Sequence, residues 1–347
     1  MSQEWFIVDG HSHFIPREAI SLIMSSPMGK RMMGFGLGGS ASAGPMSKTL
    51  DIEGKLKVME EAGVDMAVIH MASLNMVGLE FCAAMNNGNA RVAREYPDKI
   101  VPLAHVPLET GPEVMKELDR AINELGLRGV ALESSSDKYT LGSPVLTPLF
   151  EKINSLGVPV VIHPANFRLV TGGSTASALD AMNNINMATA VEEENAKAAT
   201  ELLGGVLPKF PELKVVLSHH GGGMPLLLGR MMFHFLPEGF VLPDKYKTTL
   251  PRTRKIRKEL GLDEAFMQLF SRMYFDTAGF MGWMPITQAT LLTVKPQRMA
   301  FGTDYPLEMI EAEDIKAFID DIKALPIPEA DRRAILGDTA RELFKIL

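Results

Sequence analysis

Hydrophobic and polar positions alternate along this chain in two recurring ways: short unbroken apolar runs, and longer stretches with apolar residues at helical spacing. The first run, Trp5-Phe6-Ile7-Val8, stops at Asp9-Gly10. Four consecutive apolar residues are what a strand buried on both faces requires. Similar runs follow at Asp65–Met71, Ile100–Val106, Arg128–Glu133, Val158–His163, Leu213–Ser218, Met273–Thr277 and Met299–Asp304. Between them lie helical patterns. Asp51–Ala62 is closed by Gly63, Leu79–Tyr96 stops before Pro97, and Gly111–Leu125 carries Pro112 near its first position, where a missing N–H costs nothing. Leu146–Leu156 is closed by Gly157, and Leu179–Leu203, Ala312–Lys323 and Pro328–Leu347 complete the set.

Strands that alternate with helices imply a parallel sheet. Eight such units without a composition break predict a closed (β/α)8 barrel, a TIM barrel formed by residues 1–347 as one domain. Three stretches break the rhythm. Residues 21–48 hold Met24, Met28, Met32, Met33 and Met46 among many glycines and serines, and read as a long insertion after the first strand. Such a loop is either a surface excursion or a lid whose unbranched thioethers adapt to apolar surfaces. A second excursion follows His163, and Phe235–Thr253 is irregular.

Composition narrows the function classes. Of 347 residues, 46% are hydrophobic and 22% charged, the profile of a globular protein with a large core. A net charge of −7 argues against a nucleic-acid partner, which calls for clustered Lys and Arg. Cys82 is the one cysteine, so no intrachain disulfide forms. Neither a signal peptide nor an apolar run of membrane-spanning length is evident, and a cytoplasmic location with no membrane partner is the expectation.

The polar residues fall at one end of the apolar runs. His11 and His13 follow the first, and along an extended backbone alternate side chains point the same way, so both imidazoles can converge. His163 ends the fifth run, His219 and His220 the sixth, and Asp304 the eighth. In a barrel the carboxyl ends of the strands form the catalytic face. Burying six polar groups there without partners would cost several kcal/mol each, about the penalty for unpaired polar groups. A metal site explains them. Three imidazoles and a carboxylate suit Zn²⁺ first, with Mn²⁺ or Fe²⁺ as alternatives. His70, His105, Glu133 and Asp276 also sit late in strands, where filling or orienting the rim is the expected task.

The motifs Asp9-Gly10-His11-Ser12-His13 with Pro16, Ile162-His163-Pro164, His220-Gly221-Gly222-Gly223 and Gly302-Thr303-Asp304-Tyr305-Pro306 resemble the amidohydrolase superfamily. More narrowly, they resemble its branch around aminocarboxymuconate-semialdehyde decarboxylase and the hydroxybenzoate decarboxylases. The closing stretch Gly337–Phe344 is similar to that branch's last helix, so the resemblance covers nearly the whole chain. The first histidine of His-x-His matches the semialdehyde decarboxylase, where many hydroxybenzoate decarboxylases carry Glu. The bridging lysine of many two-metal hydrolytic relatives is missing, which implies a single ion. The resemblance makes His11, His13, His163 and Asp304 the ligands of one divalent metal, and His220 the catalytic histidine, with Asp304 sharing the proton chemistry. It gives His219 no role. Arg230 would meet a substrate carboxylate across a dimer interface, which implies a homodimer or a higher oligomer. The implied activity is non-oxidative, metal-dependent decarboxylation of a small aromatic or unsaturated carboxylic acid. The alternative is hydrolysis or hydration of a ring-cleavage-type carboxylic acid at the same site.

Overall fold

The computed structural model describes residues 4–27, 45–165, 181–237, 239–246 and 253–347. Within them the chain winds a (β/α)8 barrel, as the alternation of apolar runs and helical patterns predicts. The strands are β1 (Val8–His13), β2 (Met66–His70), β3 (Ile100–Pro102, resumed after Leu103 by Ala104–His105), β4 (Val130–Glu133), β5 (Val160–His163), β6 (Val215–Leu217), β7 (Tyr274–Asp276) and β8 (Met299–Ala300). Every adjacent pair is parallel. The seam between the first and last strands closes through Gly10 N–H to the Phe301 carbonyl (2.7 Å) and His13 N–H to the Tyr305 carbonyl (2.7 Å).

The period of two along each strand divides its side chains between two cores. Val8, Val68, Leu103, Ala131, Val161, Val216, Tyr274 and Ala300 fill the barrel interior, which Ala340, Leu343 and Phe344 plug from the amino-terminal end. The alternate residues, such as Val130, Leu132, Val160, Ile162, Val215, Leu217 and Phe275, pack outward against the helices. Two positions beyond Val68, Leu103, Ala131, Val161 and Tyr274 stand His70, His105, Glu133, His163 and Asp276. The strand period therefore aims all five into the upper end of the barrel.

Local sequence sets the helix ends. Asp51 caps Ile52–Ala62 by accepting from Gly54 N–H (2.9 Å), and Gly63 ends that helix in the left-handed conformation (φ 77°). Pro112 opens Pro112–Asn123 at its first turn. The eighth strand is shorter than its apolar run, because the chain leaves the ladder after Ala300 and turns at Asp304 (φ 55°). Of the predicted insertion at 21–48, helices Arg17–Ser25 and Pro45–Lys48 frame the ends, while residues 28–44 lie outside the described residues. No helix among the described residues is long and apolar enough to cross a membrane.

Candidate metal and catalytic centre

One ligand atom each from His11, His13, His163 and Asp304 falls within 4.8 Å of every other, and all four residues are buried. Strand geometry supplies the convergence. β1 delivers His11 and His13, with Nε2 atoms 3.3 Å apart, β5 delivers His163, and the turn after β8 delivers Asp304. Asp304 Oδ1 lies 2.5 Å from His13 Nε2 and 3.5 Å from His11 Nε2.

Each histidine of this set has its other nitrogen tied to an oxygen. His11 Nδ1 donates to Asp276 Oδ2 (2.7 Å), His13 Nδ1 to the His70 carbonyl (3.1 Å), and His163 Nδ1 to the Pro164 carbonyl (2.9 Å). Carbonyls and carboxylates only accept, so each Nδ1 carries a proton and each ring turns its Nε2 toward the centre. Nε2 of His163 has no partner among the described residues. Three Nε2 atoms and a carboxylate oxygen converging in a buried space fit a single divalent ion, which takes the place of any proton held among them.

The charge pattern agrees. Burial lowers the pKa of His11, but Asp276 and Asp304 outweigh it and raise the value to about 10. Burial acts to raise Asp304, yet the surrounding histidines hold its carboxyl well below the usual range. His70 and His163 are pushed well down by burial and then by neighbouring histidines. Asp9 ties the loop together, accepting from His11 N–H (3.1 Å), Thr303 N–H (3.1 Å) and Thr303 Oγ1–H (2.7 Å).

The sixth strand departs from expectation. His219 and His220 begin a run of five residues with positive φ that continues through Gly221, Gly222 and Gly223. This backbone sends the two neighbouring rings to different places. His219 stacks on His11 at 5.2 Å, lies 5.3 Å from His163, and brings Nε2 to 3.7 Å from Asp304 Oδ2. His220 instead engages Thr290 Oγ1 through Nδ1 (3.0 Å) and packs on Phe280 at 5.7 Å. The structure therefore brings His219, rather than His220, beside the ligand set. Burial lowers the His220 pKa to about 4. For His219, burial also pulls downward, but Glu192 and Asp304 outweigh it and raise the value to about 9.

The remaining rim residues divide by task. Asp276 orients His11 and also accepts the His219 backbone N–H (2.8 Å). His105 Nε2 accepts Met71 N–H (2.9 Å). The His70 ring lies 4.8 to 5.5 Å from those of His11, His13 and His163, with neither nitrogen partnered among the described residues. Burial lifts the Glu133 carboxyl to about 8. Arg230 is exposed on helix Met224–His234 and lines a surface pocket of about 450 Å³ whose walls include none of the ligand residues.

The family model described as Amidohydrolase matches residues 8–346. The chain is 26% identical over 323 residues to the gamma-resorcylate decarboxylase of Polaromonas, covering 86% of this chain and 89% of that one. It is 31% identical over 160 residues to the 2-amino-3-carboxymuconate-6-semialdehyde decarboxylase of Dictyostelium discoideum, covering 45% and 42%. Among solved structures, the dihydroxybenzoic acid decarboxylase of Polaromonas, with bound manganese and 2-nitroresorcinol, superposes with a TM-score of 0.70 at 22% identity over 99% of this chain and 97% of that one.

Proposed function

This chain belongs to the amidohydrolase family, and from that premise we propose that it is a metal-dependent, non-oxidative decarboxylase of small aromatic carboxylic acids. The observation that carries the reading is the convergence of three oriented imidazoles and Asp304 beside Nε2 of His219, which has no hydrogen-bond partner among the described residues. His11, His13, His163 and Asp304 would hold the ion, which would supply Lewis-acid stabilisation of negative charge on a substrate oxygen. Zn²⁺ suits the donor set, and the manganese of the Polaromonas structure makes Mn²⁺ the ion to test beside it.

The chain's own residues supply the proton. Nε2 of His219 donates to the ring carbon that bears the carboxylate. The carbon–carbon bond to that carboxylate then breaks, CO₂ departs, and its bonding pair restores the ring. Water returns the proton to His219. Asp304 Oδ2, 3.7 Å away, favours the protonated imidazole between turnovers. We assign Arg230 to a substrate carboxylate in a second copy of the chain, which makes the working unit a homodimer; exposed Leu226, Leu227 and Leu236 lie on or just after the same helix.

The test is incubation of Mn²⁺- or Zn²⁺-loaded protein with a panel of hydroxybenzoates under nitrogen. Release of CO₂ without oxygen or an organic cofactor is expected, and addition of water with all carbon retained overturns the reading. His219→Ala is expected to abolish turnover with metal content intact. If His220→Ala does so instead and His219→Ala remains active, the proton donor is misassigned.

A further inference from the structure

Helix Ala181–Glu201 supplies no metal ligand, yet it is fastened to the turn that carries His219 at three points. Asn195 Nδ2 donates to the Ser218 carbonyl (3.1 Å). Gly222 lets the helix backbone approach so closely that an added Cβ would meet the Glu192 carbonyl at 2.1 Å. Glu192 Oε1 accepts from His219 Nδ1 (3.0 Å).

We propose that Glu192 is the positioning residue of His219, fixing which nitrogen and which ring face are turned to the substrate. The proposal rests on the reading of His219 as proton donor. Backbone alone does not settle the ring: the terminal torsion of histidine is broad and roughly two-fold, so two orientations compete. Several contacts already confine the imidazole. Gly279 makes room for it, since a Cβ there would lie 2.3 Å from His219 Cγ, and His11 stacks on one face. None of these tells Nδ1 from a ring carbon. Glu192 does, because a carboxylate accepts only N–H and thereby leaves Nε2 as the atom beside Asp304. The carboxylate is itself placed by the close contact at Gly222, so the helix acts as a ruler between the turn and the ring.

Two measurements test this. In ¹⁵N-histidine-labelled, Zn²⁺-loaded protein, the His219 resonances, assigned by their loss in His219→Ala, are expected to report a protonated Nδ1 in the wild type and to change in Glu192→Ala. Unchanged resonances overturn the proposal, whether or not any substrate is turned over. In the decarboxylation assay, Glu192→Ala is expected to lower kcat about 10–100-fold, the range for loss of an orienting partner, with KM and metal content unchanged. Glu192→Gln, whose amide oxygen still accepts from Nδ1–H, is expected to retain more of the rate. Wild-type kcat in Glu192→Ala sinks the role of Glu192 alone. Full activity in His219→Ala sinks the reading beneath it.

Discussion

At the scale of single residues, the cluster of His11, His13, His163 and Asp304 is legible in the sequence, and the parting of His219 from His220 is not. His11, His13 and His163 end apolar runs, and the strand period then fixes where they point. Asp304 also ends an apolar run, although the strand itself stops at Ala300. His219 and His220 defeat the same reasoning, because no regular period governs five successive residues with positive φ. Glu192 escapes notice for another reason: within Glu192-Glu193-Glu194 it reads as part of a solvated helix face. Asp276, expected to orient the rim, holds His11 Nδ1 and is expected to contribute to metal binding through it. Below about pH 10 the metal-free His11 holds a proton that the ion must displace. Metal affinity is therefore expected to rise with pH through neutrality, by up to about tenfold per unit for one proton. Asp276→Asn is expected to weaken binding about 10–100-fold and also to flatten that slope, since the carboxylate that raises the His11 pKa is gone. Titration calorimetry at pH 6, 7 and 8 checks both, and an equal slope in the two proteins contradicts the role given to Asp276.

At the scale of elements, apolar runs located all eight strands because each is buried on both faces. The interruption of β3 at Leu103 and the early end of β8 were not visible, since ladder hydrogen bonds leave no trace in hydrophobicity. Helix Met224–His234 depends on a distant residue that its own pattern does not reveal. Arg257, 2% exposed, donates to the Phe233 carbonyl (2.9 Å) and to those of Met232 and Phe235, at the helix end where carbonyls lack intrahelical partners. Its Nε meets Asp263 Oδ1 (2.6 Å). Arg257→Ala is expected to cost about 3 kcal/mol, in the range for removing one partner of a buried charged network. Urea unfolding reads this directly, and a loss below about 0.5 kcal/mol, the level of ordinary surface substitutions, would mean that solvent satisfies those carbonyls instead.

At the scale of the whole molecule, the barrel was predictable from the count and alternation of its units, and the layer above the strands was not. Residues 28–44, most of the stretch read as a surface excursion or a lid, lie outside the described residues, as do residues 166–180. Metal binding couples the centre to the stability of the whole barrel. An ion bound by the folded chain alone stabilises it by about 4 kcal/mol at a thousandfold excess over Kd. Removing it with a chelator is expected to lower the thermal midpoint, and adding Mn²⁺ or Zn²⁺ back to restore it. A midpoint indifferent to both would mean that hydrogen bonds alone hold the cluster.

The seam between β1 and β8 has a bearing on how the chain reaches this state. His13 and Asp304, in contact at the centre, are 291 residues apart, and His11 and Asp276 are 265 apart. As the chain leaves the ribosome, β1 waits with one edge unpaired until almost everything else has been made. Contacts of such long sequence separation form late and slowly. The site is thus completed late in synthesis, and a growing chain cannot hold its ion in this geometry before Asp304 has emerged. Ion capture would then report completed folding, much as a latch reports a closed door.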